Sequence, residues 1–222
     1  MLPALQLGPF VLPTYPLALI LAGWVTLAIA ARAAKRLGLD PDHLYNAGLY
    51  GFVGAVIGGR LAHVVAYWSA YRSQPLEIFG FNTTAFLLWL AVLAVLAVAG
   101  FYLYRRRLPL VAILDAFAPG LLVGLGIAAF GAFLAGRNPG AASALPWAVE
   151  QWGVRRHPVQ LYEAVGLLTV AALVWRMIDR GARPAAPFLT ALAGYGLTIW
   201  FVEAFRAAET TSIIAGGLRT GQ

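Results

Sequence analysis

The stretch RRHPVQLYEAVGLL, Arg155 to Leu168, crowds six polar or ionisable side chains onto the start of an apolar run. Arg155, Arg156, His157, Gln160, Tyr162 and Glu163 could hold a polar ligand, or they could cap a helix at a membrane surface. Arg60, His63, Asp115, Glu203 and Arg206 also fall inside or at the edge of apolar runs. Ionisable side chains at that depth are rare and usually face a cavity or a partner, which makes each a functional candidate. Three arginines (Arg60, Arg156, Arg206) and two acids (Glu163, Glu203) together suit a polar chamber for an anionic headgroup. The planar guanidinium can donate two hydrogen bonds at once to a phosphate. Each residue also has a local alternative. Arg60, three residues from His63 on one helical face, could snorkel to an interface. Asp115 and Glu163 stand early in their runs, where a helix N-terminus favours an acid. Glu203 and Arg206 could form an i,i+3 ion pair.

The elements that must position these residues are membrane helices. The chain is 61% hydrophobic and 11% charged, with a mean hydropathy of +0.76. A soluble domain of this length needs a more polar surface. The expected fold class is all-α, a polytopic transmembrane bundle of about six spans with a small outer head loop at 137–157. The spans are Tyr15–Ala34, Gly48–Trp68, Thr84–Tyr104, Val111–Ala135, Gln160–Ile178 and Pro187–Arg206. Residues 1–222 are read as a single integral membrane domain. The first apolar run has no cationic leader or small-residue cleavage site and reads as a retained helix.

The net charge of +7 sits in short clusters between apolar runs, which points to topology and anionic headgroups and away from nucleic acid. Arg32, Lys35 and Arg36, then Arg105 to Arg107, then Arg176, Arg180 and Arg183 would face the cytoplasm, placing the N-terminus and the 137–157 loop outside. Span-end aromatics such as Trp68, Tyr104 and Trp175 suit an interfacial belt. Glycine-rich runs at 51–59 and 119–126 suit close helix packing. Cysteine is absent, which excludes disulfides, thiolate metal ligands and a cysteine nucleophile within the chain.

These residues carry a resemblance to bacterial prolipoprotein diacylglyceryl transferases. LGPFVLPTYPLALILAG (7–23), GGRLAHVV (58–65), LDAFAPGLLVGLGIAAFGAFLAGRNPG (114–140), RHPVQLYEA (156–164), YGLTIWFVEAFRAAE (195–209) and GGLRTGQ (216–222) resemble family segments in the family's order. The resemblance implies an enzyme of the bacterial cytoplasmic membrane. It would move diacylglyceryl from phosphatidylglycerol, or another anionic phospholipid, to the cysteine thiol in a lipoprotein precursor's signal sequence. A thioether forms and glycerol phosphate leaves. Glu163, Glu203, His157 and Arg206 are the expected catalytic residues. Arg60, Arg156, Gln160, Tyr162, Arg137 and His63 are the expected lipid contacts. No metal or other cofactor is implied.

The sequence also departs from that pattern. Where the family's long segment carries a headgroup-binding arginine and asparagine, this chain has Ala129 and Ala132, and Arg137 replaces an acid. Ile199 stands where the late segment has an arginine, and FNTTAFLLW (81–89) replaces a histidine-glycine-glycine motif. Each lost donor is expected to remove about 2–4 kcal/mol of transition-state stabilisation, by analogy with single oxyanion donors. The family's final span would begin after Gln222. Three readings follow: a divergent transferase, a catalytically impaired homologue that binds lipid or lipoprotein, and a membrane scaffold or transporter component.

Overall fold

The computed structural model describes residues 1–8, 10–73, 75–79 and 88–207. The start of the expected third span, most of FNTTAFLLW, Glu209 and GGLRTGQ lie outside the described residues. The architecture is helical, as a polytopic membrane bundle requires, with two small antiparallel strand pairs and no closed sheet among the described residues. Among the described residues, five helices are long and apolar enough to cross a membrane: α1 (Thr14–Arg36), α2 (Pro41–Ala66), α5 (Leu110–Leu134), α6 (Val159–Asp179) and α7 (Ala186–Glu203). The described part of the third expected span forms α4 (Leu88–Arg105). A four-residue helix, α3 (Trp68–Tyr71), follows α2.

The chain divides into two compact units. One comprises residues 40–110 and is built on the antiparallel pairing of α2 with α4. The glycines of the 51–59 run make that pairing close. A Cβ at Gly51 would stand 3.2 Å from Val95, and one at Gly54 2.8 Å from Val98. Asp40 starts α2 by accepting the Asp42 amide at 2.9 Å, with Pro41 at the first helical position. That combination satisfies an orphan donor and presets the backbone.

The other unit comprises residues 1–39 and those from 111 onward. Here α1 and α5 meet through small residues. A Cβ at Gly120 would strike the Thr26 carbonyl oxygen and lie 3.2 Å from the Ala30 amide nitrogen. Thr26 Oγ1 donates across the seam to the Gly120 carbonyl at 3.1 Å. Such close backbone approach with a hydroxyl bridge is a usual means of helix association in lipid, where apolar burial gives little preference for one helix over the tails. Strand β1 (Ala4–Leu7) pairs with β2 (Phe10–Pro13) ahead of α1. The helix α5 ends in a Schellman motif at Gly136, whose φ of +66° suits glycine. The Arg137 amide returns to the Ala132 carbonyl at 2.9 Å and the Gly136 amide to that of Phe133 at 3.1 Å.

Beyond that turn lies a compact head. Strand β3 (Val149–Gln151) pairs with β4 (Val154–Arg156) across Trp152 and Gly153. Both turn residues have positive φ, +57° and +74°, as a two-residue type I′ hairpin demands. The chain then enters α6 and returns through α7. Glycines again lie at the α6–α7 seam, where a Cβ at Gly166 would stand 2.6 Å from Thr198.

Asp115 explains how α7 is anchored. Its carboxylate is buried, 2% exposed, and accepts the Ala185 amide and the Phe188 amide, each at 2.9 Å. The acid therefore does not stabilise its own helix start. It satisfies the orphan donors of another helix seventy residues away and complements that helix's positive end. Asp115→Ala is expected to lower stability by about 2 kcal/mol, because charge-assisted bonds to a buried helix end are lost. Thermal unfolding of purified protein in detergent reads this, and a melting temperature unchanged from wild type would show that the cap contributes nothing.

Candidate functional site

Antiparallel packing of α6 against α7 brings the first turn of α6 beside the residues that follow α7. Glu163 lies just past that first turn, Glu203 is the last residue of α7, and Arg206 lies three positions on. The Arg206 Nε donates to Glu203 Oε2 at 2.7 Å, and its Nη2 lies 3.6 Å from Glu163 Oε2. The side chains are 13% exposed for Arg206, 5% for Glu203 and 22% for Glu163. Glu203 is the most shielded and has the shorter contact. Glu163 is the more open acid with the looser contact. With both acids ionised, the group carries two negative charges against one positive.

The head is tied to this centre through its backbone. Gly140 pairs with Arg206 and Ala142 with Arg156 as isolated antiparallel bridges. The Ala141 amide donates to the Phe205 carbonyl at 2.8 Å, and the Ala207 amide to that of Pro139 at 3.2 Å. A segment that passes the end of α7 on one side and β4 on the other thus fixes where Arg206 begins. Arg156 Nη1 donates to the Gly140 carbonyl at 3.1 Å, while its Nε is buried without a hydrogen-bond partner among the described residues.

His157 and Tyr162 form a second polar pair. The Nδ1 of His157 lies 3.4 Å from the Tyr162 hydroxyl, which also accepts Trp147 Nε1 at 2.8 Å. Both rings pack against Phe205, the neighbour of Arg206. Gln160 is buried, and its amide nitrogen donates to the carbonyls of Arg137 at 2.6 Å and Asn138 at 3.2 Å. Its Oε1 is buried without a partner among the described residues. The Arg137 guanidinium sits 4.5 Å above the Tyr15 ring centroid, so this exposed cation stacks on the start of α1. Between α6 and α7, starting at Tyr162, runs an apolar groove of about 800 Å³ lined by Leu161, Val165, Leu197 and Phe201 among others.

Arg60 and His63 belong to the other unit, where each has local partners. Arg60 donates to the carbonyls of Ile78 at 3.1 Å and Glu77 at 2.5 Å and lies over the Tyr71 ring. His63 Nδ1 lies 3.2 Å from the Tyr71 hydroxyl. Ala129 and Ala132 are buried within α5, 6% and 8% exposed. Ile199 is half-buried in α7. Sequence reasoning did not find Gln151, whose amide is buried with neither nitrogen nor oxygen partnered among the described residues. It also missed the Tyr15–Arg137 stack and the groove. A single glutamine at the end of a three-residue strand gives no periodic signal of burial.

Fold and site define a multi-pass helical membrane protein with an arginine–carboxylate centre where two spans meet a small head. The sequence matches the family described as Prolipoprotein diacylglyceryl transferase over residues 3–222, and the chain belongs to that family. It is 34% identical to a phosphatidylglycerol–prolipoprotein diacylglyceryl transferase of Geobacter sulfurreducens, over 98% of this chain and 86% of that protein. It is 33% identical to the protein of that name from Bordetella avium, over 99% of this chain and 87% of the relative. For the Synechococcus elongatus protein of that name the figures are 27%, 98% and 80%.

The charges of the centre depend on each other. Arg206→Ala leaves Glu203 without its cation in a shielded place and is expected to cost about 3–5 kcal/mol. The double substitution Glu203→Gln with Arg206→Met should recover much of that loss. Chemical or thermal unfolding of the three proteins measures it, and a double variant less stable than Arg206→Ala would contradict the pairing.

Proposed function

We propose that this protein transfers diacylglyceryl from phosphatidylglycerol, or a similar anionic phospholipid, to the cysteine thiol of a lipoprotein precursor. It would do so in the cytoplasmic membrane of a bacterium, as one membrane domain with its N-terminus and the 137–157 head on the outer side. The observation that carries this reading is Arg206 held between two unequal carboxylates at the head of an apolar groove. A phosphodiester needs cations, a thiol needs a base, and acyl chains need an apolar channel.

The reaction joins the acceptor sulfur to the glyceryl carbon that bears the phosphate ester. The carbon–oxygen bond breaks, its electron pair leaves on glycerol phosphate, and the thiol proton passes to a base of the enzyme. Glu163, the more open acid, is the proposed base, and His157, hydrogen-bonded to Tyr162, is positioned to relay a proton. Glu203 holds Arg206 in place for the phosphate, and Arg156 adds a second cation beside it. The unpartnered Arg156 Nε and Gln160 Oε1 support a polar ligand there, since buried polar atoms seldom go without partners. Gln160 and Tyr162 line the proposed headgroup place, and Arg137, Arg60 and His63 are assigned auxiliary lipid contacts.

A specific observation favours a second reading, a homologue that binds lipid or lipoprotein and transfers poorly. Ala129 and Ala132 are buried methyl groups that donate nothing to a phosphate, and Ile199 adds no donor from α7. Purified protein with phosphatidylglycerol and a cysteine-containing lipoprotein signal peptide separates the two. The transferase reading predicts thioether product at a slow rate, reduced at least about a hundredfold by Glu163→Gln. No product from a folded, lipid-binding wild type would establish the impaired homologue, and full turnover by Glu163→Gln would remove Glu163 from the chemistry.

A further inference from the structure

The unit formed by residues 40–110 carries a cavity that the proposed transfer does not use. It lies where the C-terminal end of α4 meets α2, has a volume of about 460 Å³, and is lined by Tyr50, Val98, Phe101, Tyr102, Arg105 and Arg106. The Arg105 guanidinium carbon lies 6.0 Å from the Phe101 ring centroid, and that of Arg106 lies 5.9 Å from the Tyr102 centroid. Tyr50 packs on Tyr102 with centroids 5.3 Å apart. His43 Nδ1 lies 2.9 Å from the Tyr102 hydroxyl. The tyrosine that supports Arg106 is therefore itself fixed from α2.

These contacts do more than satisfy a topology signal. A cation that only marks the cytoplasmic side of a span needs charge and nothing else. Here each guanidinium carbon lies over the aromatic ring four residues before it, at the outer reach of a cation–π contact, and its N–H groups remain available to an oxyanion. Neither arginine forms an ion pair or a side-chain hydrogen bond among the described residues. Asp40 and Asp42 occupy the start of α2, but Asp40 is engaged as the helix cap. Tyrosines at a span end mark the depth of lipid headgroups, and basic pockets between membrane helices are suited to phosphate-bearing headgroups.

We infer that the Arg105–Arg106 pocket between α2 and α4 is a binding site for the phosphate headgroup of an anionic phospholipid from the adjoining leaflet. It shares no residue with the arginine–carboxylate centre, and the inference stands whether or not the chain catalyses transfer. The two forks take the phosphate oxygens, the rings hold the forks, and the apolar side of the pocket, with Val98, meets the first carbons of the lipid.

Native mass spectrometry of the full chain in detergent, titrated separately with phosphatidylglycerol and phosphatidylcholine, tests this. Wild type is expected to retain phosphatidylglycerol in preference to phosphatidylcholine. Arg105→Gln with Arg106→Gln should retain one phosphatidylglycerol fewer, with affinity at that site down about thirtyfold. Tyr102→Leu, which keeps both charges, should weaken the same retention while leaving phosphatidylcholine unchanged. Wild-type retention in the double variant would overturn the site, as would an equal loss of both lipids. Free glycerol phosphate serves as the soluble arm. Failure to displace the lipid supports the proposal, and displacement at equal concentration would assign the pocket to a soluble anion and overturn the lipid assignment.

Discussion

Glu203 is almost wholly shielded at the end of an apolar helix, and Arg206 meets it at 2.7 Å from three residues further on. A carboxylate in such a place needs a cation in hydrogen-bond reach, since desolvation of a lone ion costs several kcal/mol. That requirement fixes more than one pair. Past Glu203 the chain closes a turn, with the Arg206 amide on the Glu203 carbonyl at 3.2 Å, and Arg206 also reaches Glu163 of α6 at the longer distance of 3.6 Å. The backbone pairing of Gly140 with Arg206 then draws the head onto the same place. The contacts are unequal: Glu203 holds the cation at hydrogen-bond distance, and Glu163 lies further from it.

The opposite end of α7 is held by the same kind of force. Asp115 reaches from α5 to two amides of its first turn. One membrane helix is thus fixed at its start by an acid from a neighbour and at its finish by a cation of its own chain. In lipid, where apolar contact discriminates poorly between helices, charged and hydrogen-bonded ends set register. The glycines complete the picture by letting α1 approach α5 and α2 approach α4 at backbone distance.

Much of this was legible from residue types. Long apolar runs showed the helical bundle, and the glycine runs showed where helices come close. The i,i+3 spacing of Glu203 and Arg206 announced an ion pair, and the polar knot at 156–163 showed a family. What stayed hidden was partnership over long separations. Asp115 looked like an acid at its own helix start, yet its partners are Ala185 and Phe188. Gln160 stands out in sequence only as a polar residue at a span start, and nothing there shows that its amide nitrogen holds the backbone of Arg137 and Asn138. Residue type likewise did not indicate that Arg60 and His63 contact residues 71, 77 and 78 of their own unit. Periodicity reports which face of a helix is apolar and is silent on which polar atoms meet.

The proposed transfer requires Arg206 and Arg156 to receive a lipid phosphate. A structure of the protein determined with phosphatidylglycerol in a lipid nanodisc would locate that phosphate. The expected result is phosphate density within hydrogen-bond distance of Arg206 or Arg156, with an acyl chain along the groove between α6 and α7. Lipid phosphate bound elsewhere, with that groove empty and Arg206 still closed upon Glu203 and Glu163, would contradict it.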